Sequence, residues 1–187
     1  MNPLIAALLF LGVVAIGVIA YFVTYNSASS SATAQEATQS IQQIFSVMSQ
    51  QFSTNPNTTG LSATTAANAG VFPTNWLTGS PGAYTAVNDP WGGAVTLAAG
   101  TVTTQYVLTL PNVPASVCTQ LAAFYTPNTV SVTVTGGTGG TFTNPSYSAG
   151  GGGGGAAAAS WPPNPAAVQA ACSGASNFQI QWTQSLS

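Results

Sequence analysis

The chain has 187 residues, and only Glu36 and Asp89 carry a formal charge at pH 7; Lys, Arg and His are absent. An ordinary soluble chain is roughly a quarter charged, so functions that run on charge are excluded here. Phosphate neutralisation, acid–base catalysis and zinc ligation all lack their residues, and the reading is a structural protein, not an enzyme, with no cofactor and no direct nucleic-acid binding.

From Leu4 to Val23 there is no charge, amide or hydroxyl except the phenol of Tyr21. Twenty such residues at 1.5 Å each make about 30 Å of helix, the thickness of a bilayer's hydrocarbon core. Pro3 suits a first helical position, where its missing N–H costs nothing. A secretory signal needs a basic start, a shorter apolar run and a small-residue cleavage site, and the basic start is missing. Residues 1–23 therefore read as a membrane anchor. Lys or Arg beside a span normally sets its orientation; with none present, a basic leader removed upstream of Met1 is expected.

From Thr24 to Phe52 neither Pro nor Gly interrupts the chain, and Ile41, Ile44, Phe45, Met48 and Phe52 recur at helical spacing among Gln, Ser and Thr. The pattern predicts one helix over 1–54, roughly 50 residues and 75 Å long. Its first half is apolar all round and needs lipid or a bundle of helices. Its second half, 24–54, has one apolar stripe and docks on a domain.

That domain is the head, 55–187. Leu61 to Ala69 reads as a short helix, with Ser62 as its cap and Gly70 just past its end. "VFPTNWLTGSPGAY" reads as a series of bends at Pro73, Gly79, Pro81 and Gly82. "NDPWGGAVTL" leads into a strand at about Ala94 to Leu97, and "TQYVLTL" and "VSVTVT" alternate as strands. Between those two, "NVPASVCTQLAAFY" is a helix with Pro114 in its first turn and Val117, Leu121 and Phe124 on one face. A glycine-rich excursion spans about 136–164 and includes the run Gly150 to Gly155. Asn164-Pro165 then opens the helix "PAAVQAAC", and "FQIQW" ends the sheet with Phe178, Ile180 and Trp182 on one side. The fold class is α+β: a long N-terminal helix and a head with an antiparallel sheet of about four strands and flanking helices.

Cys118 and Cys172 are the two cysteines. In a chain with an export history they read as one disulfide, with two free buried thiols as the alternative. A catalytic cysteine lacks any base to lower its pKa.

"AANAGVFPTNW", "NDPWGGAVTL", "LPNVPASVCTQLAAFY" and "AACSGASNFQIQW" occur in order from residue 66 to 182. Together with the long helix and the late cysteine pair they resemble the type IV pilins, the type IVb branch in particular, and most of all the major pilins of conjugative thin pili. Trp91, Gly92 and Gly93 match the family's aromatic and Gly-Gly landmark, where its sheet begins. The resemblance implies a subunit that polymerises into an extracellular filament, or fimbrium, on a bacterial surface, in cell adhesion among other uses. It implies a helical homopolymer whose core is built from Leu4, Ile5, Leu8, Leu9, Leu11, Val14, Ile16, Ile19 and Phe22. It further implies an inner-membrane pool before assembly, a pilus assembly machinery, and a prepilin peptidase that exposes Met1 for methylation. Ile5 stands where the family usually has Glu. The alternatives are a pseudopilin of a secretion system, or a monomeric membrane-anchored adhesin in which Trp76, Trp91 or Trp161 faces a sugar. Asn57-Thr58-Thr59 is a formal N-glycosylation sequon.

Overall fold

The computed structural model describes residues 31–147 and 161–186. The anchor expected over 1–23, with Met1 and the core positions from Leu4 to Phe22, lies outside the described residues, as does the run Gly150 to Gly155. Among the described residues no helix is long and apolar enough to cross a membrane.

Helix α1 covers residues 31–51, a stretch of Ala, Gln and Ser with no breaker inside it. Helix α2, Ala63–Asn68, starts at a reciprocal cap: Ser62 accepts from the Thr65 N–H while Thr65 accepts from the Ser62 N–H. A 3-10 turn, Thr74–Trp76, leads into the hairpin of β1, Leu77–Ser80, and β2, Ala83–Val87. Then come β3, Thr96–Ala99, β4, Gln105–Pro114, and α3, Ala115–Ala122. Strands β5, Thr129–Thr135, and β6, Gly140–Thr143, precede a 3-10 turn at Pro145–Tyr147. Helix α4, Pro165–Ala171, and strand β7, Asn177–Ser185, complete the head.

Five strands form one antiparallel sheet in the order β3-β4-β7-β5-β6. Register places Leu97, Leu108, Trp182, Val132 and Phe142 in one row across all five. Every member of that row is buried, and Leu110, Ile180 and Val134 make a second buried row beside it. The alternate positions carry Thr109, Gln181, Thr133 and Thr141. There Gln181 donates to Thr109 and the hydroxyls of Thr133 and Thr141 meet at 3.2 Å. The sheet thus has an apolar face for the core and an uncharged hydroxyl and amide face opposite it.

The structure corrects the expected head at several points. The sheet has five strands, not four, because β6 lies inside the span read as a glycine excursion. Its single buried side chain, Phe142, completes the row from Val132, so pairing rather than local alternation makes it a strand. The segment read as bends is a hairpin: Ser80 pairs with Ala83 across Pro81-Gly82, with Gly82 at φ +81°. The edge strand runs over Thr96–Ala99 rather than 94–97, since Ala94 makes only an isolated bridge to Asn88. The helix of Cys118 also starts later, at Ala115. Pro114 ends β4 after a bulge in which Asn112 takes the left-handed conformation, φ +59°.

Candidate functional site

The element with the most to do is α1, and its burial pattern divides it lengthwise. Ala34, Ala37, Ile41, Ile44, Phe45 and Met48 are buried, none above 5% exposed. Positions 34, 37, 41, 44, 45 and 48 follow the helical repeat, which puts them on one face. Phe45 anchors that face, meeting Tyr106 of β4 edge-on at 6.2 Å and stacking on Phe124 at 6.1 Å. Phe52, just past the helix, is half-buried against the same core. At the other end Glu36 accepts from the Asn75 amide at 2.8 Å. The outward face carries Gln35, Gln39, Gln42, Gln43, Ser46 and Gln50, all exposed. Sequence periodicity missed Ala34 and Ala37, whose spacing fits but whose small side chains carry little hydrophobic signal.

Two shallow grooves flank α1. One, of about 250 Å³, is lined by Met48, Phe52, Leu61 and Val71 together with the turn at Asn57 to Gly60. The other, of about 280 Å³, lies between Phe45, Ser46 and the loop Thr126 to Asn128. In the second, Gln184 is fully engaged, accepting from Thr126 and donating to Thr129.

The landmark Trp91, Gly92 and Gly93 closes a loop around Asp89. Oδ1 of Asp89 accepts from the Trp91 and Gly93 N–H groups at 2.9 and 2.7 Å, while Oδ2 is buried without a partner among the described residues. A Cβ on Gly93 would stand 2.5 Å from the Pro111 carbonyl oxygen and 2.6 Å from Oδ2. Only glycine lets this loop lie against the β4 bulge. The landmark is therefore a joint between loop and sheet, and Trp91 packs half-buried on the core.

Burial holds the Asp89 carboxyl above the ordinary aspartate range, against the opposing pull of the Gly93 and Trp91 N–H groups. The folded chain thus binds this proton more readily than the unfolded chain. Its contribution to stability is fully present below the unfolded carboxylate range and is lost as pH rises through the folded value. The head is expected to melt higher at about pH 4 than at neutral pH, and Asp89→Asn, which keeps an acceptor at Oδ1, flattens that difference. Calorimetry at the two pH values checks this; an equal slope in the variant would remove Asp89 as its source.

Cys118, fully buried on α3, is bonded to Cys172, which caps α4, with the Cα atoms 5.8 Å apart. The bond joins the two helices across a separation of 54 residues that contains β5 and β6. Of the three tryptophans named for sugar contact, Trp76 is in the core at 2% exposure and cannot serve. Its indole N–H has no partner there among the described residues. Trp161 remains half-buried and meets the exposed Tyr125 edge-on at 5.1 Å. Among the described residues no group of three His, Cys, Asp or Glu side chains is placed to hold a metal.

Among the described residues the arrangement offers a helix docked by one face, an uncharged sheet surface and a stapled pair of helices. The family model described as PilS N terminal matches residues 27–185. No curated protein matches the chain.

Proposed function

We propose that this chain, which belongs to the PilS family of type IV pilins, is a structural subunit that polymerises into a filament of the type IVb kind. The observation behind this reading is the division of α1 and of the sequence leading into it. From Ala34 to Met48 one face is spent on the head. Upstream, the run from Leu4 to Val23 has no polar face at all. A helix apolar all round needs lipid or other helices, and a run without charge accepts both in turn.

On this reading residues 1–54 form the spine and 55–187 the head. The apolar run sits in the inner membrane until assembly machinery draws it out, and then bundles with its copies along the filament axis. The hydroxyl and amide surfaces of the sheet and of α1 tile the outside. Near-zero net charge favours such association, since no field keeps subunits apart. Family membership points to a structural protein rather than an enzyme.

Sedimentation of the full chain without detergent tests the proposal. A polymer pellets, and its light scattering persists on dilution. A chain that stays in solution only with detergent, as discrete particles, would instead be an anchored module, with the Tyr125–Trp161 pair the first place to look for a ligand.

A further inference from the structure

We propose that Asn57 is an N-glycosylation site, an assignment that does not depend on whether the chain polymerises. The sequon Asn57-Thr58-Thr59 lies on a turn whose three residues are divided between anchoring and display. Thr58 is 1% exposed. Its N–H donates to the Thr103 carbonyl at 2.9 Å, and its hydroxyl reaches the Thr103 and Gln105 carbonyls at 3.0 and 2.7 Å. Asn57 and Thr59 on either side are exposed. The middle residue therefore pins the turn to the start of β4 and presents the outer two to solvent.

The amide is also arranged for the reaction. Asn57 Oδ1 accepts from the Thr59 N–H at 3.0 Å, which fixes the side chain toward the hydroxyl residue. Neither the Asn57 Nδ2 nor the Thr59 hydroxyl has a partner among the described residues. Gly60 follows at φ +78° with nothing within 4 Å of where a Cβ would stand, so the turn is open on that side. Asn144-Pro145-Ser146 supplies an internal contrast. It has the same local bond, Ser146 N–H to Asn144 Oδ1 at 3.0 Å. Yet Asn144 is buried, its Nδ2 donates to the Thr129 carbonyl, and proline in the middle removes it from the sequon class. Accessibility, a free amide nitrogen and a permitted middle residue coincide at Asn57.

The transfer needs a sugar donor, of the class of oligosaccharides carried on a polyisoprenyl diphosphate. Nδ2 of Asn57 forms a bond to the anomeric carbon as that carbon's bond to the diphosphate oxygen breaks. The lipid diphosphate leaves with the bonding pair, and one amide proton passes to a base of the transferase. The attached sugar then stands at the rim of the groove formed by Met48, Phe52, Leu61 and Val71. Its ring C–H groups cover apolar surface while its hydroxyls stay in water. For a surface with almost no charge, such hydration limits association where none is wanted.

The test is mass spectrometry of the full chain isolated from its native host. Trypsin has no site in this chain, so chymotrypsin is used to release residues 53–61. The expected result is that this peptide carries a sugar mass that a peptide-N-glycosidase removes, converting the attachment residue to aspartate. The mass is lost in Asn57→Gln and in Thr59→Ala, and kept in Thr59→Ser. A native peptide at its unmodified mass would overturn the proposal. So would a sugar that survives Asn57→Gln, which would place it on a hydroxyl instead.

Discussion

Replacing Cys118 and Cys172 together by alanine is expected to lower the stability of the head by roughly 4 kcal/mol on the chain-entropy account of disulfides. The closed loop is long, with a separation of 54 residues, and it holds β5 and β6, which occupy the far edge of the sheet. Without the bond, the unfolded chain regains the freedom of that whole segment. In the folded state, α3 and α4 still bury Val117, Leu121 and Val168, so the fold is weakened rather than redirected. A loss of this size corresponds to a fall of about 8–16 °C in melting temperature for a chain of this length. Serine at Cys118 is expected to cost more than alanine, because its hydroxyl enters a site with no exposure. Thermal melts of the two double variants against the parent check both statements. A fall under about 2 °C would mean that helix packing alone closes the loop.

Val14→Asp is expected to abolish pelletable polymer while leaving the head intact. Val14 is near the middle of the run from Leu4 to Val23, which the proposed assembly puts first in the membrane and then among its copies. A carboxylate at the centre of such a segment costs about 2.5–3.5 kcal/mol in an apolar surrounding, and a filament interior offers it no side-chain cation, since the chain has no Lys, Arg or His. At about 1.4 kcal/mol per tenfold, each addition step weakens on the order of 100-fold. The readouts are the pelletable fraction without detergent and the near-ultraviolet circular dichroism of the head. Loss of the first with the second unchanged is the expected pair. Equal pelleting in the variant would show that the heads, not the apolar run, hold the polymer.

Elements written in local pattern are legible in the amino-acid sequence itself. Ser62 and Gly70 bracket α2 because a cap and a left-handed residue are local requirements. Strands β4, β5 and β7 alternate because each has one face in the core, and the stripe from Ile41 to Met48 marks the buried face of α1. Features that escape a reading of the sequence depend on distant partners. Strand β6 has one buried side chain and follows the glycine-rich stretch Gly136 to Gly139, and becomes a strand only by completing the row that ends at Phe142. The hairpin of β1 and β2 buries Val87 alone, so its alternation is hidden. The start of β4 holds Thr58 through two carbonyls, a contact no periodicity announces. Gly93 is visible as a landmark, but its reason, the approach of Pro111 and Asp89, is not.

Electron microscopy of the native protein without detergent, carried to a helical map, decides between a polymer and an anchored module. Polymerisation through the spine predicts long uniform filaments a few nanometres wide, with the run from Leu4 to Val23 bundled on the axis and the heads outside. The same map would show what meets Ile5. Dispersed particles, or filaments with heads on the axis and the apolar run elsewhere, would contradict it.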